Sequence, residues 1–194
     1  LITPDSERTM CTFLGTAGKI NKNDLDAETI KKTDLIFLEG YLWDEGDPKE
    51  AFEKAINLAN KTAMSLSDKF CVDRHKANFL NLVKNKLDLV FANEGEIISL
   101  IDAKNFDEVI SFGKEIKKHL VITRGEKGAI SIHKNEIMEI DAKKDLKVID
   151  LTGAGDLFAS GYLHGFINNF SQKECLIKAT EMSSKIIQQI GARF

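Results

Sequence analysis

Hydrophobic positions fall into two patterns, short unbroken apolar runs and longer stretches where apolar residues recur every third or fourth position. Asp34-Leu35-Ile36-Phe37-Leu38-Glu39, closed by Gly40, is a run of the first kind and predicts a buried parallel strand. Residues 63–66, 87–92 and 119–123 predict further strands, and 129–133 with 137–140 predict a hairpin around Lys134-Asn135. Helical spacing of Ala51, Phe52, Ala55, Ile56, Leu58 and Ala59 follows Asp47 and Pro48, a cap and a first-turn proline. A short helix is expected behind Asn23-Asp24 to about residue 32. Another is expected after Asp73, through Phe79, Leu80, Leu82 and Val83, and two more over 94–101 and 106–118. Two long helices end the chain, 155–168 and 171–190; the second opens on a Ser171/Glu174 capping box and stops before Gly191. Residues 147–150 read as a short extended piece. Residues 7–14, rich in β-branched and apolar side chains and closed by Gly15, predict a strand that follows a turn at Thr3-Pro4-Asp5.

Strands alternating with helices predict an α/β fold, a mostly parallel sheet with helices on both faces. Such sheets bind ligands beyond the carboxyl ends of their strands, which is where Asn93, Thr123 and the 151–156 loop fall. No repeat or low-complexity linker divides the 194 residues, so they read as part of one domain.

With 43% hydrophobic and 29% charged residues the composition is that of a globular, soluble chain. A net charge of −3 gives no electrostatic footprint for nucleic acid or an anionic membrane. Charged or amide residues interrupt every apolar stretch before membrane-spanning length. Cys11, Cys71 and Cys175 are scattered without CxxC spacing, which suggests neither a disulfide framework nor a zinc site and fits a reducing cytoplasm. The chain starts at Leu1 without a signal-like segment, and a fragment is expected.

The most informative string is Asp150-Leu151-Thr152-Gly153-Ala154-Gly155-Asp156-Leu157-Phe158-Ala159-Ser160-Gly161. Small residues at 153–155 before a helix let backbone N–H groups approach an anion, and the helix dipole adds positive potential there. Asp156 inside such a pocket would repel a phosphate, so a base is the sharper explanation: it could take the proton of a hydroxyl attacking a phosphoryl group. For a bare GxGD, a turn followed by an ordinary helix cap is the alternative.

The whole string resembles the C-terminal signature of the ribokinase-like (PfkB-type) carbohydrate kinases. Asn93-Glu94-Gly95-Glu96 is similar to the family's NxxE motif, and Thr123-Arg124-Gly125-Glu126-Lys127-Gly128 to its nucleotide-binding turn, in the expected order. The resemblance implies ATP as donor, a sugar or nucleoside hydroxyl as acceptor, Asp156 as catalytic base and the amides of Gly153, Ala154, Gly155 and Asp156 as an anion hole. It implies nucleotide contacts at Asn93, Thr123, Gly125, Gly128 and Gly155, and Mg2+ held through its water shell by Glu96. NxxE also caps a helix start, and Gly125–Gly128 also makes a plain turn between strands. Asp150, Thr152, Ile186, Gln189 and Gly191 match positions where family members bind a monovalent cation such as K+, mostly through carbonyl oxygens.

On the acceptor side Glu39 matches a sugar-contacting position, although a strand-end carboxylate also serves as a solvated or capping group. Residues 1–18 resemble a lid strand and its return to the core, a remnant of a β lid through which a homodimer could form. The pieces Thr3-Pro4-Asp5, Arg8-Thr9-Met10 and Phe70-Cys71-Val72-Asp73-Arg74-His75 resemble the adenosine-kinase-like branch, making adenosine the first acceptor to consider. The resemblance thus identifies residues 1–194 as the C-terminal part of a single kinase domain, without its amino-terminal third. Gly15-Thr16-Ala17-Gly18-Lys19-Ile20 mimics a Walker loop, but Phe13 and Ile20 stand where Gly and Ser/Thr belong. The four histidines share no ligand spacing, and Cys175 reads as a small core side chain. A non-catalytic nucleotide- or sugar-binding module of the same fold is the alternative function. An NAD-type oxidoreductase is disfavoured because no GxGxxG follows a strand.

Overall fold

The computed structural model describes all residues except Glu7 and 45–47, so the expected Asp47 cap lies outside the described residues. Six strands, β1 (Ile36–Glu39), β2 (Thr62–Ser65), β3 (Leu89–Asn93), β4 (His119–Thr123), β5 (Ala129–His133) and β6 (Glu136–Ile140), form one sheet in chain order. Between and after them run α1 (Ala27–Lys32), α2 (Pro48–Leu58), α3 (Lys69–Asn85), α4 (Glu94–Ile101), α5 (Phe106–Ile116), α6 (Ala154–Ile167) and α7 (Gln172–Ile186). The fold is α/β, as the alternation of patterns predicts.

Parallel pairing sets Ile36 opposite Thr62 and Ala63 opposite Leu89. Each of these steps needs a crossover, supplied by α2 and α3. The Asp88 carboxylate reinforces the register by accepting from the Thr62 amide (2.9 Å) and hydroxyl (3.1 Å). The 124–128 connection is too short for a crossover, so β4 and β5 turn back on each other, closed by the Arg124 amide on the Gly128 carbonyl at 2.8 Å. Lys134 takes the left-handed conformation (φ 56°) in the two-residue turn into β6.

The chain divides into two compact units, each with its own core. In one (Leu14–Ile122 and Ile132–Ile137), Leu66, Leu89, Ile97, Leu120 and Ile132 are fully buried. His119 and His133 stack there with ring centroids 3.7 Å apart. In the other (Leu1–Phe13, Thr123–Ser131 and Met138–Phe194), α6 lies against α7. Gly161 permits that approach, since a Cβ would come within 2.8 Å of the Ala179 Cα. Tyr162 is buried there with its hydroxyl 2.8 Å from the Ser131 hydroxyl, and Gln172 donates to the same serine.

Four expectations need correction. Residues 8–14 form no strand: among the described residues the segment makes one bridge, Ile2 with Arg8, and Met10 and Phe13 stay exposed. An extended run becomes a strand only when a neighbour pairs its amides and carbonyls. Asn21 caps a separate 3-10 turn (Lys22–Asp24), and Asp26 caps α1, so the helix expected behind Asn23-Asp24 is shorter. Helix α3 starts at Lys69 with Asp68 as its cap, a turn before Asp73; the polar residues 73–76 hide its periodicity. Helix α7 keeps its capping box but ends at Ile186, four residues before the expected end; residues 147–150, read as a short extended piece, are tied down by the Ile149 and Asp150 amides, which both donate to the Ile187 carbonyl. Among the described residues no helix is long and apolar enough to cross a membrane.

Candidate active site

The predicted site residues belong to both units. Glu39 and Asn93 are the last residues of β1 and β3. Asn93 caps α4, its Oδ1 accepting from the Glu96 amide at 2.9 Å. In return Glu96 accepts from the Asn93 amide (2.9 Å) and from Asn93 Nδ2 (2.6 Å). The helix-capping alternative for NxxE is therefore realised. The box also carries an unusual charge, because Glu96 is only 5% exposed. Burial pushes its carboxyl up to about 7, and the negative charges of Asp68 and Glu39 add to the shift against the Asn93 hydrogen bonds. Beyond β2, Ser67 stands in the left-handed region (φ 74°); its hydroxyl donates to Glu39 Oε1 and accepts from the Tyr41 amide at 3.0 Å. Ser67 fixes the orientation of Glu39. Sequence reasoning missed it because a serine carries no signal for a positive φ.

In the other unit, Thr123 ends β4, half-buried. The turn after it contains two glycines with different reasons to exist. At Gly128 (φ 86°) a Cβ would run into the Ile140 carbonyl oxygen, so the fold itself demands glycine. At Gly125 (φ 57°) nothing lies within 4 Å of that position.

The 150–156 loop shows the same contrast. Gly153 (φ 80°) precedes α6, and a Cβ on it would sit 2.7 Å from the Ala192 Cβ. Gly155 lies in the first turn of α6 with open space where its side chain would be. The Ala154 amide donates to the Leu151 carbonyl at 3.2 Å, which takes it out of the expected set of anion donors. The amides of Gly155 and Asp156 are first-turn donors that the helix itself leaves over. Asp156 is exposed in the same turn.

Asp150 is 1% exposed and closes the loop. Its Oδ1 accepts from the Thr152 amide (2.8 Å) and hydroxyl (2.6 Å), and its Oδ2 accepts from the Gly191 amide at 2.8 Å. The Thr152 hydroxyl, followed by the Gly191 and Thr152 amides, holds this carboxyl below its usual range. Three of the five residues matched to a monovalent-cation loop thus fasten to one another, while Ile186 is buried and the Gln189 amide bonds the Ile186 carbonyl.

The pfkB family carbohydrate kinase model matches residues 1–194. The chain belongs to this family. Among solved structures, this pfkB-family chain is similar to an adenosine kinase from Sinorhizobium meliloti, with 34% identity and a TM-score of 0.96, over 100% of this chain and 61% of that one. A probable sugar kinase from Rhizobium etli CFN 42 shares 36% identity at a TM-score of 0.95, over 99% and 60%. A nucleoside kinase from Methanocaldococcus jannaschii is 24% identical over 148 residues, 76% of this chain and 48% of its own length. The pfkB-family chain therefore spans about half the length of the curated relatives it matches. The ribokinase-like fold expected from the three motifs is the observed one.

Proposed function

We propose that this chain is the nucleotide-binding, C-terminal part of an ATP-dependent kinase that phosphorylates a hydroxyl of a sugar or nucleoside. The observation that carries the reading is Gly155. Glycine inside a helix costs up to about 1 kcal/mol relative to alanine. No neighbour in the chain requires it at 155, where a Cβ would meet nothing within 4 Å. A bare backbone beside leftover first-turn amides suits close approach by a phosphate. The next residue, Asp156, then has a role that phosphate binding alone would not give it.

In this reading the acceptor hydroxyl gives its proton to an Asp156 carboxylate oxygen as the hydroxyl oxygen bonds the terminal phosphorus of ATP, and the bond to the departing ADP oxygen breaks. The Gly155 and Asp156 amides stabilise the charge on the transferring group. Thr123, Gly125 and Gly128 line the nucleotide, with Gly125 offering open backbone and Gly128 shaping the turn. Glu96 would hold Mg2+ through its waters, with Asn93 at the phosphate oxygens nearby, and Mg2+ would neutralise triphosphate charge; a carboxyl raised by burial to about 7 can still take the ionised form this needs. Potassium enters only through the resemblance and would rest on the carbonyls of Asp150, Thr152, Ile186, Gln189 and Gly191. Glu39, held by Ser67, is assigned to the acceptor. Adenosine is the first candidate acceptor, supported by the adenosine-kinase-like pieces and by the similarity to the S. meliloti enzyme.

The test is a screen of the full-length protein with ATP and Mg2+ against adenosine, guanosine, inosine, ribose, fructose and 2-keto-3-deoxygluconate. Phosphorylation of adenosine is expected. Activity on hexoses alone would remove adenosine and keep the kinase, whereas binding of NAD without ATP would end the proposal.

A further inference from the structure

Cys71 and His75 stand one turn apart on α3, the spacing that sets two side chains on one helix face. Asp44 follows the 3-10 turn Gly40–Trp43. One ligating atom from each of Asp44, Cys71 and His75 lies within 4.8 Å of the other two, and His75 Nε2 is 2.9 Å from Asp44 Oδ1. We propose that these three side chains bind a thiophilic divalent cation of the zinc class.

The backbone supplies an independent reason. Helix α3 breaks its dihedrals at His75 (φ −117°, ψ 19°) although it contains neither proline nor glycine. Sharp kinks without those residues call for another cause. Arg74 already satisfies the Asp44 charge, its Nε and Nη2 donating to Oδ1 at 2.9 Å and Oδ2 at 2.5 Å. Neighbouring residues of a regular helix do not face one partner. The kink is what lets His75 reach a carboxylate that Arg74 has neutralised, and neutralising Asp44 does not need it.

The donor types are those zinc takes, although burial keeps the Cys71 thiol protonated and donating to the Gly40 carbonyl at 3.3 Å, so binding would release that proton to solvent. Sulfur, imidazole nitrogen and carboxylate oxygen form a three-protein-ligand set for zinc, with a fourth position left for water. Zinc bond lengths of about 2.0–2.3 Å place ligand atoms roughly 3.3–3.7 Å apart, so the outermost pair closes by about 1 Å. Arg74 then acts as the partner that orients a ligating carboxylate, and the Trp43 ring, centred 6.1 Å from the imidazole, limits its rotation. A bound cation would fasten the turn that follows Glu39 to α3.

The test is Co2+ and Zn2+ titration of the full-length protein. One equivalent should bind, and Co2+ should give a thiolate-to-metal charge-transfer band. Cys71→Ser should abolish the band, Cys11→Ser should keep it, and His75→Gln should weaken Zn2+ at least about 10-fold in chelator competition. If Cys71→Ser fails to fold, His75→Gln and Asp44→Asn decide on affinity alone. No stoichiometric binding, a band surviving in folded Cys71→Ser, or unchanged affinity in His75→Gln would overturn the site and leave an Asp–Arg–His polar cluster.

Discussion

Gly153 and Gly155 are glycines for different reasons, and substitution separates them. Gly153→Ala forces a Cβ into the left-handed region and onto Ala192, so it should lower stability by more than about 1 kcal/mol. Gly155→Ala has room and gains helix propensity, so its thermal midpoint should hold or rise while ATP binding weakens. Melting curves and calorimetric ATP titration of both variants check the pair; undiminished ATP affinity in Gly155→Ala would count against the anion loop. The Gly153–Asp156 string was legible in the sequence because its chemistry is local. Asp150 shows the limit, since its clamp on Gly191 joins positions that only the folded chain brings together.

At the level of elements, the β4–β5 hairpin carries a pH dependence. Burial, then the neighbouring charge of His133, hold the His119 imidazole down to about 4. The same residue titrates near 6.5 when unfolded. Between those values the unfolded chain binds a proton that the folded one refuses, so stability is full above pH 6.5 and falls as pH drops toward 4. Allowing for the ring's partial contact with water, the loss is up to about 2 kcal/mol. Urea unfolding at pH 7.5 and 5 should show it, with a flatter profile in His119→Phe; an identical slope in the variant would assign the effect elsewhere. Removing the cap of α4 by Asn93→Ala should cost about 1 kcal/mol in the same assay. Strands β1 to β6 were readable from apolar runs and turn residues. The start of α3 was not, because charged residues on its exposed face break the apolar period, and residues 8–14 have strand composition but, among the described residues, no partner strand.

For the whole molecule, residues 1–194 present Phe13, Phe70 and Met10 to solvent at 89%, 71% and 59% exposure, and strand β1 ends the sheet with Phe37 partly exposed. Expressed alone, residues 1–194 should self-associate, because a strand at the sheet's end and exposed apolar surface invite pairing. A cooperatively unfolding monomer of these residues at micromolar concentration, seen by sedimentation, would contradict that. Family and fold were legible because three motifs fall in order on strand ends and loops. The acceptor was not, because Glu39, steered by Ser67, is its one candidate contact, and the adenosine-kinase-like pieces mark a branch without naming a contact. Asp156 carries the proposed chemistry. Asp156→Asn keeps the shape of the loop and removes the base, so in the full-length enzyme kcat should fall roughly 10²–10⁴-fold at saturating acceptor while ATP still binds. Near-normal kcat in that variant would make Asp156 an ordinary first-turn residue and the proposed mechanism wrong.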